Sequence, residues 1–200
     1  MKKDIFEVIE NRIIARLDKE LDNRLHYHNS SHTVDVIEQT QRIAKQEGIK
    51  DAEMLSLLKI AALYHDTGFL FTYTDHELEG CEIARKDLQE LGVVNGELET
   101  ISGLILATKV PQKPQTHLQQ IICDADLDYL GRGDYNSISS RLKKELLEYG
   151  FIGSEKDWLT LQINFLESHT YFTSTSQKNR SEKKNEVLLQ LKEKLQHYKN

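Results

Sequence analysis

Histidine and aspartate side chains that could bind a metal ion are concentrated in three separate segments of the sequence. Imidazole nitrogens and carboxylate oxygens are common ligands of divalent transition metals. The histidines and aspartates therefore predict a metal site to which all three segments contribute. The segments are Tyr27-His28-Asn29-Ser30-Ser31-His32, Tyr64-His65-Asp66 and Asp124-Ala125-Asp126.

The adjacent pair His65 and Asp66 follows an apolar-rich stretch, residues 54–63. Adjacent residues point about 100° apart around a helix axis, so both could reach one ion only near a helix end, which Thr67-Gly68 would supply. Burying such a pair is costly unless something such as a metal compensates it. A lone buried histidine is more often a hydrogen-bonded core residue, and short motifs recur by chance. Spacing alone therefore leaves both interpretations open.

The other two segments each contain more candidates than one ion can use. His28 and His32 are four residues apart, so on a helix they share a face. Asp124, Asp126 and Asp128 alternate along the chain. Because alternate carboxylates face different ways on a helix, we expect that not all three bind the metal.

The elements that must position these residues are predicted to be helices, which makes the fold class all-α. Apolar residues recur at spacings of three and four almost everywhere, and no stretch alternates as a strand would. The two prolines, Pro111 and Pro114, share one loop. The polar segment 174–184 is expected to be a mobile hinge. The predicted helices are 5–21, 31–47, 51–66, 76–91, 96–108, 116–130, 134–149, 155–172 and 181–198.

Composition sets broader limits. Two hundred residues suit one domain with a substantial core. The formal charge of −6 argues against broad nucleic-acid binding, although a small phosphorylated ligand remains compatible with it. The N-terminus has no signal-peptide core, no apolar stretch is long enough to cross a membrane, and Cys81 and Cys123 are expected to be reduced. These features predict a cytoplasmic protein that does not bind membranes. They leave the oligomeric state open, with a homodimer as one option.

The order His32, His65-Asp66, Asp126 resembles the HD superfamily of metal-dependent phosphohydrolases, which is named for its adjacent His-Asp pair. The resemblance covers approximately residues 25–135. It implies a helical bundle, with residues 1–200 forming a single HD-type domain whose terminal helices pack on this core. It also implies that these four residues bind a divalent metal, which could be Mn, Fe, Mg, Co, Ni or Zn.

Within that superfamily, the segment that begins Tyr27-His28-Asn29 is similar to the signature of cyclic-nucleotide phosphodiesterases. This similarity implies that His28 is the general acid and His32 the metal ligand. The predicted catalytic residues are His28 and Asp66. Phosphodiesterases have two more histidines for a second metal. His76 matches the first, but Thr108 stands at the second position, and threonine is a poor metal ligand. The sequence therefore argues against a permanently occupied two-metal site and against a cyclic nucleotide as substrate.

Four further residues are candidates for a second metal or for substrate binding. His76 and Glu79 are three apart on one predicted helix face, and Thr108 and Lys109 follow another helix. Lys109 and Arg132 are candidate phosphate-binding residues. For all of these the alternative is an ordinary exposed polar face or surface charge.

The function expected from this pattern is hydrolysis of a phosphoester bond by metal-activated water. The expected substrate is a small phosphorylated metabolite, either a nucleotide or a phosphodiester. The alternative is an HD-type sensor module that binds metal and nucleotide but turns over slowly or not at all.

Overall fold

The structure is a computed structural model that describes residues 3–197, with side chains from Phe6 onward. No strand occurs among these residues, so the predicted all-α fold class is confirmed. Two short 3₁₀ helices, Thr67–Leu70 and Asp128–Gly131, follow the third and sixth α-helices. The α-helices are α1 Lys3–Glu20, α2 Ser30–Gln46, α3 Ala52–Tyr64, α4 His76–Glu90, α5 Asn95–Ala107, α6 His117–Asp126, α7 Tyr135–Glu148, α8 Glu155–Ser168 and α9 Ser174–His197.

The first of two compact units consists of Met1–Asp22 and His28–Asp126 and contains α1 to α6. Helix α3 is its central element, because α3 packs against α1, α2, α4, α5 and α6. A helix surrounded in this way must be apolar on most sides. Residues 58–64 of α3 confirm this expectation, because every one of them except Lys59 is fully buried.

The second unit consists of Asn23–Tyr27 and Leu127–Asn200 and contains α7 to α9. Helix α9 packs on α8 and on the 3₁₀ helix Asp128–Gly131. This unit has an apolar core of its own, which includes Tyr27, Leu130, Tyr135, Trp158, Leu166, Val187 and Leu191. The expectation of one HD-type domain over residues 1–200 stays a prediction.

Several predicted boundaries differ from the structure. The predicted helix 116–130 ends at Asp126, and the predicted helix 155–172 ends at Ser168. The predicted mobile hinge over 174–184 is wrong, because α9 begins at Ser174. Its polar side chains have buried partners that hydropathy cannot reveal. For example, the Lys184 ammonium is buried and donates to the carbonyl oxygens of Leu166, at 3.1 Å, and His169.

Two predicted helix ends fall partly outside the described residues. These are the side chain of Ile5 in the predicted helix 5–21 and residue 198 in the last predicted helix. Within residues 3–197, no helix combines the length and the apolar character that crossing a lipid bilayer requires.

Candidate metal centre

The first turn of α2 positions His32. Asn29 precedes this helix in an extended conformation, and its side-chain oxygen accepts from the backbone N–H groups of Ser31, at 3.0 Å, and His32, at 3.3 Å. These are two of the donors that a helix start leaves without partners, so Asn29 is an effective N-cap. The cap fixes the backbone of His32, whose side chain is buried.

The end of α3 positions His65 and Asp66. The helix ends at Tyr64, and the Thr67 hydroxyl donates to the Tyr64 carbonyl at 2.8 Å. The chain then turns into the 3₁₀ helix Thr67–Leu70. Both His65 and Asp66 are buried, although they are polar. The expected arrangement, an apolar helix that ends next to a His-Asp pair, is therefore present.

Four side chains from α2, the end of α3 and the end of α6 converge. The Nε2 atom of His65 lies 3.2 Å from Asp66 Oδ2 and 3.4 Å from His32 Nε2. The Nε2 atom of His32 lies 3.4 Å from Asp66 Oδ2 and 3.3 Å from Asp126 Oδ1. A distance of 3.6 Å separates His65 Nε2 from Asp126 Oδ1. The four predicted ligand residues thus face one point within the first unit.

This donor set fits a divalent metal ion. Atoms held about 2.0–2.2 Å from one ion lie about 2.8–3.6 Å from their neighbours in tetrahedral or octahedral arrangements. The observed separations fall in this range, and the potential ligand atoms of His32, His65 and Asp66 all lie within 4.8 Å of one another. Moreover, Asp66 Oδ2 is buried and accepts no hydrogen bond. A buried carboxylate oxygen is costly in that state, and a cation among these atoms would satisfy it.

The hydrogen bond of His65 determines which ring nitrogen can bind a metal. Its Nδ1 lies 2.8 Å from the carbonyl oxygen of Ala62, which can only accept, so Nδ1 carries the proton. A neutral His65 then presents the lone pair of Nε2 to His32 and Asp66. A backbone carbonyl that orients an imidazole through its other nitrogen is a typical feature of metal-binding histidines.

The charges of the metal-free centre are strongly perturbed. Burial alone would lower the pKa of His65, but the carboxylates of Asp66 and Asp126 outweigh it, so this pKa lies well above its ordinary value. Burial opposes ionisation of Asp66, yet His65 beside it brings the pKa of this carboxyl well below its usual range. The pKa of Asp126 is lowered to about 2, because His32 and His65 outweigh its burial. The centre therefore favours anionic carboxylates next to a positive charge.

The second oxygen of Asp126 has its own partner. Gln112 donates from Nε2 to Asp126 Oδ2 at 3.3 Å and to the carbonyl oxygen of Cys123 at 3.3 Å. This contact leaves Oδ1 directed at the two histidines. Gln112 therefore orients the last of the four candidate ligands.

An aromatic stack borders the centre. The ring of Phe69 stacks with those of His28 and His76, with centroid distances of 4.2 and 3.9 Å. His28 is half-buried, and its ring centroid is 6.1 Å from that of His32. His28 is thus close to the converging side chains but on a more exposed side of them.

His76 and Asp66 form a second polar contact. His76 Nε2 lies 3.4 Å from Asp66 Oδ1 and 3.5 Å from Glu77 Oε1. Burial lowers the pKa of His76, but these two carboxylates outweigh it and raise the pKa. Asp66 therefore faces the histidine pair with one oxygen and His76 with the other. The carboxylate beside His76 is that of Glu77, whereas Glu79 lines a surface cavity of about 500 Å³ with Arg85.

The remaining predicted site residues have other partners. The Thr108 hydroxyl donates to the carbonyl oxygen of Ile105 at 2.7 Å, inside its own helix turn. Lys109 is exposed and pairs with Asp75, whose backbone has a left-handed φ of 54° just before α4. Arg132 belongs to the second unit, where it contacts Asp134 through two hydrogen bonds of 2.9 Å. Their proposed roles in binding substrate stay predictions.

Sequence reasoning missed three residues next to the centre: Phe69, Glu77 and Gln112. One signal for Glu77 was available, because it falls on the same helical stripe as Cys81, Ala84 and Leu88, which are all buried. An acidic residue on a buried stripe indicates a polar site. Phe69 directly follows the His-Asp-Thr-Gly segment. Gln112 lies in the proline-containing loop, and no pattern of spacing connects that loop to Asp126.

Comparisons with known proteins agree with this geometry. A crystal structure described as a predicted HD superfamily hydrolase, from an uncultured Thermotogales bacterium, has a similar fold. It matches with a TM-score of 0.58 at 22% sequence identity, over 96% of this chain and 92% of that chain. No curated protein sequence matches the chain. The HD domain family matches residues 29–128, half of the chain and the part that contains all four converging side chains. The chain therefore belongs to the HD domain family.

Proposed function

We propose that the protein is a metal-dependent phosphohydrolase that cleaves a phosphoester bond of a small phosphorylated metabolite, either a nucleotide or a phosphodiester. Its family and its converging donor set support a metal-dependent hydrolase. One observation carries the proposal. His32, His65 and Asp66 direct buried ligand atoms at one point, and Asp66 Oδ2 has no hydrogen bond there.

His32, His65, Asp66 and Asp126 would hold the ion. When bound, a divalent ion supplies an acidified water and draws charge from a phosphoryl oxygen. Two neutral imidazoles and two carboxylates suit Mn, Fe, Co, Ni or Zn, and Mg is a further candidate. Because Thr108 bonds to its own helix, we expect a second ion to be weak or to arrive with the substrate.

His28 would transfer the proton that the leaving oxygen needs. Hydrolysis forms a bond from water oxygen to phosphorus and breaks the bond to the leaving oxygen, which must gain a proton. His28 is half-buried whereas His32 and His65 are buried, so His28 lies on the side from which a substrate arrives. A positioned acid of this kind typically contributes roughly 10²–10⁴-fold to the rate.

Asp66 is the second candidate catalytic residue, because its two oxygens face two different sets of partners. Oδ2 faces the histidine pair, and Oδ1 faces His76. With Oδ2 holding the ion, Asp66 would lie beside the attacking water and could orient its proton. His76 is placed to contact a phosphoryl oxygen or a second ion on the other side of Asp66.

The first experiment is an activity panel. We expect turnover of phosphomonoesters or phosphodiesters, nucleotides included, with Mn, Mg, Co or Fe, and loss of that turnover on chelation. Tight nucleotide binding without turnover under any of these conditions would instead support a sensor module.

The second experiment separates ligand from acid. His32→Ala should lose the metal and nearly all activity, because the ion supplies both the activated water and the polarised phosphoryl group. His28→Ala should keep the metal and lose roughly 10²–10⁴-fold in rate. The exposed His117 offers a matched control, and His117→Ala should change neither metal content nor rate. Loss of metal from His28→Ala would show that His28 is a ligand or a structural residue.

A further inference from the structure

Phe69 stacks with two histidines that border the candidate centre. Its ring plane is inclined by only 23° to that of His28 and by 23° to that of His76, at centroid distances of 4.2 and 3.9 Å. Phe69 itself is 6% exposed. Both imidazoles therefore stack with Phe69, and the centroids of the two imidazoles are themselves 6.2 Å apart.

The position of this ring is tied to the turn that carries Asp66. The backbone N–H of Phe69 donates to the Asp66 carbonyl at 3.1 Å, within the 3₁₀ helix. Gly68 brings the same turn against the start of α4, because a Cβ at this position would lie 1.9 Å from the carbonyl oxygen of His76. Backbone contact thus fixes Phe69 relative to both Asp66 and His76.

Tyr73 limits rotation of the stack from the side. Its ring meets Phe69 edge-on, with a centroid distance of 5.1 Å and an interplanar angle of 80°. The same ring meets His28 edge-on at 6.1 Å and 86°. Edge-to-face and offset contacts of this kind are favourable for aromatic rings. The ring of His28 is therefore stacked on Phe69 and has a near-perpendicular contact with Tyr73.

We propose that Phe69 is a positioning residue, which holds the His28 ring in the orientation that proton transfer to the leaving group requires. The proposal rests on the function proposed above, in which His28 is the acid. Phe69 touches no reacting atom in this scheme, and its proposed effect on proton transfer acts through His28. The alternative is that Phe69 only fills space between α4 and the turn. A space-filling residue affects stability, whereas a positioning residue also affects how the rate depends on the leaving group.

The first test reads the ring contact without any activity. In wild-type protein loaded with diamagnetic zinc, NMR should show upfield-shifted His28 ring protons and cross-relaxation between the rings of His28 and Phe69. Phe69→Leu should remove the upfield shift and keep the metal. The same substitution at the exposed Phe71, two residues along the chain, should leave the His28 signals unchanged. Unshifted His28 protons in the wild type would overturn the proposal, even if Phe69→Leu failed to fold.

The second test uses two esters that differ only in leaving group, methyl p-nitrophenyl phosphate and methyl phenyl phosphate. Phenolate leaves less readily and depends more on the acid. Phe69→Leu should slow its release roughly 10–100-fold, the usual result of a small misplacement, and should slow p-nitrophenolate release far less. Adding Phe69→Leu to His28→Ala should cause little further loss, because both act through one proton transfer.

Equal losses on both esters, or full additivity with His28→Ala, would show that Phe69 does not position His28. If the wild type hydrolysed neither these esters nor any compound of the activity panel, the proposed function would fail. The NMR result would then decide separately whether Phe69 orients His28.

Discussion

Asp126 and Asp128 are two residues apart, both are largely buried, and their surroundings differ completely. Asp126 belongs to the first unit, where its Oδ1 faces the Nε2 atoms of His32 and His65. Asp128 belongs to the second unit, where both of its oxygens accept from Arg180, at 2.9 and 3.0 Å. The guanidinium is a fixed, permanent countercharge, whereas each imidazole can be neutral or protonated.

The difference shows how to distinguish a structural carboxylate from a functional one. A bidentate arginine matches both carboxylate oxygens in geometry and charge, so it leaves nothing for a ligand to supply. The histidine partners of Asp126 are themselves potential metal ligands, and the neighbouring Asp66 Oδ2 has no hydrogen bond. The Asp128 pair is complete without a ligand, and the Asp126 group is not.

The largest effect should follow from Asp126→Asn. This change removes a direct candidate ligand, and losing even an outer hydrogen-bond partner of a metal site typically costs about 10–100-fold in affinity. We expect more than about 10²-fold weaker metal binding and a nearly complete loss of activity. Elemental analysis and metal titration measure this. Helix content by circular dichroism should stay unchanged, and full metal content would contradict the assignment of Asp126.

The second effect should appear only in stability. Asp128→Asn removes the buried countercharge of Arg180, whose side chain is 21% exposed. Because removing one partner of a buried ion pair costs about 3 kcal/mol or more, and exposure lowers that cost, we expect a loss of up to about 3 kcal/mol. Urea denaturation should show this lower free energy of unfolding. The folded variant should still bind metal. Asp134→Asn provides the control, because that carboxylate is exposed and should cost far less.

A smaller effect should follow from Gln112→Leu. The substitution removes the donor to Asp126 Oδ2 and introduces an apolar side chain of similar size. We expect metal binding to weaken about 10–100-fold, which is less than for Asp126→Asn, because only orientation is lost. Metal titration of the two variants side by side gives the comparison. Unchanged affinity would show that the loop does not orient this ligand.

The smallest expected effect is the change in metal affinity for each unit of pH. A metal-binding imidazole must be neutral, and the pKa of His65 in the metal-free protein is raised. Binding therefore releases a proton below that pKa, and affinity should fall about tenfold, or about 1.4 kcal/mol, for each unit of pH lost. In the metal-free protein the pH dependence of folding stability has the opposite sign. The stability from His65 is complete below its unfolded pKa near 6.5 and decreases as pH rises through the raised pKa.

Melting curves at several pH values test both signs together. The increase in melting temperature on adding metal should grow from mildly acidic to mildly alkaline pH. His65→Ala should remove this dependence. A metal-induced increase that is independent of pH would contradict a protonated His65 in the metal-free centre.

The sequence predicted the helices of the first unit well, because periodic apolar residues are a local signal. The apolar residues of α3 are an example. The second unit was predicted less accurately where polar residues pack. The segment 174–184 looks solvated in isolation, yet Lys184 is buried against the end of α8. Composition cannot show a partner that is distant in the chain.

The candidate site divides in the same way. His32, His65, Asp66 and Asp126 could be assigned because their order along the chain carries a recognisable pattern. Gln112 and Phe69 contribute through contacts that only the folded chain creates. Glu79 was chosen for its spacing from His76, but the adjacent Glu77 lies beside that ring, since the side chain of His76 points along the helix start towards Asp66.

Two glycines make the junction around Asp66 unusually tight. A Cβ at Gly68 would collide with the backbone of His76, and a Cβ at Gly80 would lie 2.9 Å from the carbonyl oxygen of Tyr64. Backbone therefore contacts backbone directly. No side chain lies between the two segments, so no change of rotamer can alter their separation. We therefore expect Asp66 and His76 to move together. The freedom needed to admit a substrate and release a product then belongs to side chains outside this junction, of which the half-buried His28 is one.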